Sequence, residues 1–314
     1  MTRLPRIVLR ISPKETTFAR RGFRGNNAET RRRLEGVGRM FLLGYHAALD
    51  VEQPEKLALR LNAVDPEFRG FTFEGAAMGL TLLDQLSLRR RDRLQALLEG
   101  AGEPHAYMIH VGAGWAFARL QRHVERASER MDPLLRWLAV DGYGFHEGYF
   151  RWRRYLGGRA TPARLSGYGR RVFDQGFGRS LWFVDGAEVD RVSTTIAALP
   201  PTRHADLWSG VGLACAYVGG TDRAALETLG AMAKPHASHL AQGAAFAAKG
   251  RQRAGNSAPQ TDLACAVLCG VSANAAAAIT DIALEGLPSD GAGPAYEIWR
   301  QRIRERLAQE AVVT

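Results

Sequence analysis

Asp141, His146 and Glu147 fall in one short stretch, residues 138–152, among glycines and aromatics. Acids and imidazoles are the side chains that move protons, and together they can ligate a metal. Five helical residues sweep about 500°, which leaves His146 roughly 140° round from Asp141. That offset weakens a local metal site, and the adjacent His146–Glu147 pair lacks the i,i+4 spacing of helical zinc ligands. No metal ligand is assigned. Glu74 and Asp174 stand beside the same kind of Gly-containing motif. The candidate catalytic set is therefore Glu74, Asp141, His146, Glu147 and Asp174.

The centre of the chain is also its aromatic-rich zone. Trp115, Tyr143, Phe145, Tyr149, Phe150, Trp152, Phe173, Phe177, Trp182 and Phe183 lie there. A groove walled by such rings suits a flat, conjugated, hydrophobic ligand, and ordinary core packing accounts for the same residues. His110 is placed to meet Glu74 or Asp141 across neighbouring units. The candidate ligand-binding residues are His110, Trp115, Tyr143, Tyr149, Gln175, Arg179, Trp182 and Gln242.

The elements that position these residues repeat. Glu74-Gly-Ala-Ala-Met, Val111-Gly-Ala-Gly-Trp, Asp141-Gly-Tyr-Gly-Phe, Gln175-Gly-Phe-Gly-Arg, Ser209-Gly-Val-Gly-Leu and Gln242-Gly-Ala-Ala-Phe share one pattern. Their leading glycines, 75, 112, 142, 176, 210 and 243, lie 37, 30, 34, 34 and 33 residues apart, and Gly44 is a degenerate earlier copy. A period near 34 suits a helical hairpin. Glycine inside a helix costs about 1 kcal/mol against alanine, and close approach of a neighbouring helix is the compensation. A dinucleotide loop needs a preceding strand and a third glycine, which these copies lack. The residue before the leading glycine is polar in five of the six copies. These side chains either line a common groove or hydrogen-bond the next unit.

The apolar spacing predicts a helix over 29–50, and Pro66 ends the helix before it. Further helices are expected over 88–100, 189–200, 222–232 with Thr221 as its cap, 261–270, 273–287 and 296–310. Residues 6–11 read as a short strand and 12–18 as a turn with a short cap. The fold expected is all-α, an α-solenoid of stacked, TPR-like helical hairpins. Residues 1–25 form an N-terminal arm and 26–314 a single repeat domain.

The chain carries 42 basic and 32 acidic residues, a net charge of +10, and only four of the basic residues are lysines. A basic excess favours nucleic acid, an anionic membrane surface or an acidic partner. Arginine runs at 20–21, 31–33, 89–91 and 151–154 carry it, but no nucleic-acid module accompanies them, so nucleic acid is disfavoured. Three sparse cysteines point to a reducing compartment. With neither a signal-peptide core nor a stretch of about 20 apolar residues, a cytoplasmic protein is expected, with a surface suited to the membrane periphery. No nucleophile elbow, phosphate loop, Cys-x-x-Cys pair or paired-aspartate cyclase motif is present, and the sequence names no cofactor.

Gly44-Tyr-His-Ala-Ala-Leu, Arg69-Gly-Phe-Thr-Phe-Glu-Gly-Ala-Ala-Met and His110-Val-Gly-Ala-Gly-Trp-Ala open a set of motifs. Asp141-Gly-Tyr-Gly-Phe-His-Glu-Gly-Tyr-Phe, Phe173-Asp-Gln-Gly-Phe-Gly-Arg-Ser-Leu-Trp, Leu207-Trp-Ser-Gly-Val-Gly-Leu-Ala-Cys-Ala and Leu240-Ala-Gln-Gly-Ala-Ala-Phe complete it. Over nearly the whole chain this set resembles the domain of unknown function 1702 family, the UnbL-like proteins of enediyne polyketide gene clusters. The resemblance implies work beside a polyketide synthase, a second soluble protein and a membrane protein, in turning a linear polyene into the enediyne core. A non-catalytic helical scaffold for protein recognition is the competing expectation. An enzyme predicts a closed aromatic pocket with Glu74, Asp141 or Asp174 pointing into it. A scaffold predicts an open concave face.

Overall fold

The computed structural model describes residues 8–87, 91–158, 161–291 and 293–313. Among them every regular element is helical. The strand expected over 6–11 does not form where it is described. Val8 and Leu9 are helical, Arg10 and Ile11 irregular, and among the described residues no other strand is present to complete a ladder. Residues 6 and 7 lie outside the described residues, as do residues 88–90 of the expected 88–100 helix and of the 89–91 arginine run. Two short helical turns, Pro13–Thr16 and Phe18–Arg21, follow, capped by the Ser12 and Thr17 hydroxyls.

Three more short turns, Glu103–His105, Val124–Ala127 and Lys234–His236, and fourteen longer helices make up the rest of the regular structure among the described residues: α1 (Ala28–Asp50), α2 (Pro54–Asn62), α3 (Pro66–Leu86), α4 (Arg93–Glu99), α5 (Ala106–Arg119), α6 (Arg136–Leu156) and α7 (Gly167–Val184), then α8 (Val189–Ala197), α9 (Pro201–Val218), α10 (Arg223–Met232), α11 (Ala237–Arg253), α12 (Pro259–Leu268), α13 (Ala273–Ile282) and α14 (Ala295–Val313). Their starts follow capping chemistry. The Asn27 carboxamide accepts from the backbone of Glu29 and Thr30 to open α1. At α10 the cap is Asp222, one residue later than expected, because its carboxylate reaches the Ala225 amide at 2.9 Å. The helix expected over 273–287 ends at Ile282.

The Gly-rich helices stand side by side in the order α1, α3, α5, α6, α7, α9, α11, with α13 next to α11. Neighbours run parallel: Gly75 of α3 meets Phe41 and Tyr45 of α1, and Gly79 meets Tyr45 and Ala48, so the residue numbers rise together. In the four motifs with two glycines, the two face opposite neighbours. A Cβ on Gly142 would sit 2.0 Å from the Val111 carbonyl oxygen of α5, and one on Gly144 2.2 Å from the Phe173 carbonyl oxygen of α7. The same geometry recurs at Gly112 and Gly114, Gly176 and Gly178, and Gly210 and Gly212. Only glycine lets two backbones come this close, and its Cα–H then faces a carbonyl oxygen. From Gly112 onward the acceptor for each leading glycine is the carbonyl of the residue just before the previous helix's leading glycine: Glu74, Val111, Asp141, Gln175 and Ser209 in turn.

The row curls until early and late helices meet. Phe71 of α3 packs edge-on against Tyr217 of α9, with ring centroids 5.3 Å apart. Arg251 of α11 donates to the Glu67 carbonyl of α3, and Tyr107 of α5 meets Trp299 of α14. The inner face of the curl holds the main apolar core. Residues 11–25 lie against it, with Phe18 and Phe23 buried and Phe23 edge-on to Tyr149 at 5.0 Å. Among the described residues no single helix is long and apolar enough to cross a membrane.

Candidate functional site

One side-chain stripe of each Gly-rich helix points into the curl. Measured from the leading glycine, it comprises the fourth and first residues before it and the third and seventh after it, the repeat of a helical face. The third residue after it contributes Trp115, Phe145, Arg179 and Leu213, and the seventh Tyr149, Phe183 and Tyr217. With Phe41, Phe71 and Phe150 they wall a narrow slot, and Ile11, Glu15 and Thr16 of the N-terminal segment add to the lining. The slot is narrow, with a cavity of only about 50 Å³ between its walls. It is thin, flat-sided and apolar. Trp115 is its ring hub, with Phe41 at 4.6 Å, Phe145 at 5.1 Å, Tyr149 at 5.8 Å and Phe150 at 5.9 Å. The helix α6 kinks at Arg151, where the backbone turns away just after Phe150.

Two charged side chains reach this slot from the helices around it, Glu74 from α3 and Arg179 from α7. Arg179 is fully enclosed. It pairs with the Asp141 carboxylate and lies over the Phe145 ring at 4.8 Å. Burial works against its charge, and Asp141 and Glu74 outweigh burial and hold its pKa above the ordinary range. Glu74 is different. It is 2% exposed, and its Oε1 has no hydrogen-bond partner among the described residues. Burial pushes its carboxyl up to about 7, while Arg179 pulls it down and Asp141 pushes it further up. Trp115 stands close enough to oppose the shift, but its indole N–H forms no well-aligned bond. A carboxyl with that pKa both gives and takes a proton near neutrality.

The polar residues before the leading glycines join one another behind Arg179. Gln175 Nε2 donates to Asp141 Oδ2 at 2.8 Å and to the Tyr296 hydroxyl at 3.3 Å. Ser209 Oγ has Gln175 Oε1 at 3.5 Å and donates to Gln242 Oε1 at 3.0 Å. Arg300 of α14 donates to Gln242 at 3.2 Å and to Asp206 at 2.8 Å. Asp141, Gln175, Ser209 and Gln242 are all wholly buried, so they form an internal ladder, and of the set only Glu74 lines the slot.

The remaining candidates lie around or away from the slot. His146 is buried against Trp115 and Phe150, and burial lowers its pKa. Burial works to raise the Glu147 carboxyl, but His146, the Tyr155 hydroxyl at 2.8 Å and Arg151 at 2.7 Å hold it low. Asp174 faces away and pairs with Arg203 at 2.6 Å; burial still pushes its carboxyl up to about 6. His110 bonds the Ala106 carbonyl of its own helix at 2.7 Å, not Glu74 or Asp141. Trp182 is core, with Nε1 donating to the Gly219 carbonyl at 2.9 Å. Tyr143 is half-buried against Phe173. Among the described residues no group of three or more His, Cys, Asp or Glu side chains could hold a metal ion. The three cysteines are free and buried.

Sequence reasoning passed over Phe41, Phe71, Leu213 and Tyr217 in the wall, and Asp206, Tyr296 and Arg300 on the ladder. The signal for two of them was present. The last residue of each five-residue motif is the inward third position, which adds Leu213 to Trp115, Phe145 and Arg179. Four residues further on stands Tyr217.

No curated protein and no solved structure matches the chain. The sequence pattern of the family described as Protein of unknown function (DUF1702) matches residues 1–307 of the 314. The chain belongs to that family.

Proposed function

We propose that this protein binds a linear conjugated chain in the aromatic slot and that Glu74 passes a proton to or from it. The reading rests on one observation: a buried carboxyl, its Oε1 without a hydrogen-bond partner among the described residues, poised near neutral pH in a narrow aromatic slot. Aromatic faces on both sides favour a π-system, and the apolar wall excludes a hydrated one. The family resemblance fits the same chemistry. The protein is then a component of enediyne or polyketide biosynthesis, helping to convert a linear polyene into the enediyne core with companion proteins, one of them in the membrane. In this reading the chain is a curved, TPR-like solenoid of about 34-residue hairpins behind an N-terminal arm. It works in the cytoplasm, where its arginine-rich exterior suits the membrane periphery. The narrow aromatic slot supports a ligand site over the competing scaffold.

Diphenylhexatriene, a neutral linear polyene that fluoresces in apolar surroundings, tests the binding step. Its emission should rise with the wild-type protein and rise far less with Trp115→Ala or Phe145→Ala. A signal that is absent, or insensitive to both substitutions in folded protein, refutes the site. In an assay with the companion proteins, Glu74→Gln should bind the chain and fail to turn it over.

A further inference from the structure

Resting on that reading of the slot, we infer that residues 12–23 are its door, lifting to admit the chain and closing over it. The walls of the slot are held in different ways. From α1 to α9 the seams between helices are closed backbone on backbone by glycines: Gly75 against Phe41, Gly112 against Glu74, Gly142 against Val111, Gly176 against Asp141 and Gly210 against Gln175. Where α9 comes round to α1, the Thr30 hydroxyl and the Arg33 guanidinium donate to the Gly220 and Val218 carbonyls. Helices packed this closely cannot part without breaking many contacts at once.

The N-terminal segment crosses from one side of the curl to the other. It starts on α1, where the Leu9 carbonyl accepts from the Tyr45 hydroxyl at 2.6 Å and the Ile11 amide donates to His46 Nε2 at 3.3 Å. It passes α6, where the Trp152 indole donates to the Arg21 carbonyl at 3.2 Å. It ends at the close of α7, where the Arg24 amide donates to the Val184 carbonyl at 2.7 Å and its guanidinium pairs with Asp185.

Between these ends the segment is bonded mainly to itself. The Ser12 and Thr17 hydroxyls cap its two turns, and Glu15 pairs with Arg20 and Arg21. From Ser12 to Arg20 one hydrogen bond to the rest of the protein is present among the described residues, from the Phe18 amide to Glu35 Oε1 at 2.9 Å. Thr16 sits in the notch that Gly38 leaves on α1, and the Phe18 ring is buried. Glu15 and Thr16 are thus wall residues of the slot, carried on a piece that keeps its own shape and has few ties outward. Segments of that kind open at lower cost than the packed helices around them.

A disulfide tests the door. A Cβ on Gly38 would stand 2.9 Å from the Thr16 Cβ, near the separation of about 3.5–4.5 Å that a disulfide needs, so Thr16→Cys with Gly38→Cys ties the segment to α1. The rate at which diphenylhexatriene emission rises is compared between the glutathione-oxidised and dithiothreitol-reduced forms of this one full-length variant. Wild type, whose three cysteines are buried, is the control under both conditions. A minor open state is populated to about 10% or less, so the lock should slow binding by about tenfold or more, and reduction should restore the faster rate. Phe18→Ala removes a buried anchor that is not part of the slot's lining, and it should speed binding and release by about tenfold. Equal rates in the oxidised and reduced forms overturn the door and leave the slot reading standing. Should the cysteine pair not form its bond, a wild-type rate in Phe18→Ala overturns it in the same way. Wild-type protein that fails to bind the probe overturns the slot reading itself, and the door with it.

Discussion

Glu74 should make the protein less stable as pH rises, and Glu74→Gln should remove that dependence. The carboxyl sits at about 7 in the folded chain against an ordinary 4.5, because burial disfavours its charged form. The folded state therefore holds this proton to higher pH than the unfolded state does. Below 4.5 both forms are protonated and the residue costs nothing. Between 4.5 and about 7 the unfolded chain ionises first, and folding loses ground throughout. Above that window the loss is complete, at about 3 kcal/mol. Glutamine keeps the shape and one donor without the charge. Urea unfolding of both proteins at about pH 5 and about pH 8 isolates the effect, since the other carboxylates are common to both. Near the site, Arg179 and Tyr217 are pushed upward, away from the window, while His146, pushed down from 6.5, is common to both proteins and cancels in the comparison. The variant should gain about 2–3 kcal/mol over wild type at the higher pH and much less at the lower. An equal gain or loss at both pH values would refute the buried, unpaired state assigned to Glu74.

Glycine substitutions should divide by what they meet. A Cβ on Gly176 would lie 1.8 Å from the Asp141 carbonyl, so Gly176→Ala must push α6 and α7 apart and should cost about 3 kcal/mol or more in thermal melts. At Gly36 the nearest atom is a flexible Arg39 nitrogen at 3.6 Å, so Gly36→Ala should instead stabilise by about 1 kcal/mol. Asp141→Ala strands the Arg179 charge and should cost about 3–5 kcal/mol in chemical denaturation. Asp141→Leu with Arg179→Met should recover most of it; failure to recover would mean that the ladder needs Asp141 for more than pairing this arginine.

The sequence revealed the helices and their packing device because both depend on local chemistry. The apolar spacing of Leu34, Val37, Phe41, Tyr45 and Leu49 placed α1, and recurrent glycines at helical interiors pointed to close backbones. It left unresolved where the row of helices turns back on itself. That depends on long-range contacts such as Phe71 with Tyr217, nearly 150 residues apart, which no local spacing encodes. The strand expected over 6–11 failed for a related reason. Val8, Leu9 and Ile11 carry strand-like composition, but a strand exists only with a partner to pair with. The acids were legible as a set and not as individuals. Asp141, Asp174 and Glu147 look equivalent to Glu74 in a list of candidates, yet Asp141 and Asp174 each meet an arginine brought in from another helix, and Glu147 meets Arg151 one turn along its own.

Why Glu74 alone is left without such a partner follows from the same register that packs the helices. From Gly112 onward the leading glycine rests on the carbonyl just before the previous leading glycine, so that preceding residue is held at one height from α3 on. Equal height lets neighbouring side chains bond across the row, and from Asp141 through Gln175 and Ser209 to Gln242 they do. The helix between Glu74 and Asp141 carries Val111 at that height, which has nothing to donate or accept. The ladder therefore stops at Asp141, Arg179 closes its end, and Glu74 is stranded one helix further on, facing the slot. The packing motif builds the ladder, and a single apolar residue in it turns the first rung into an isolated acid.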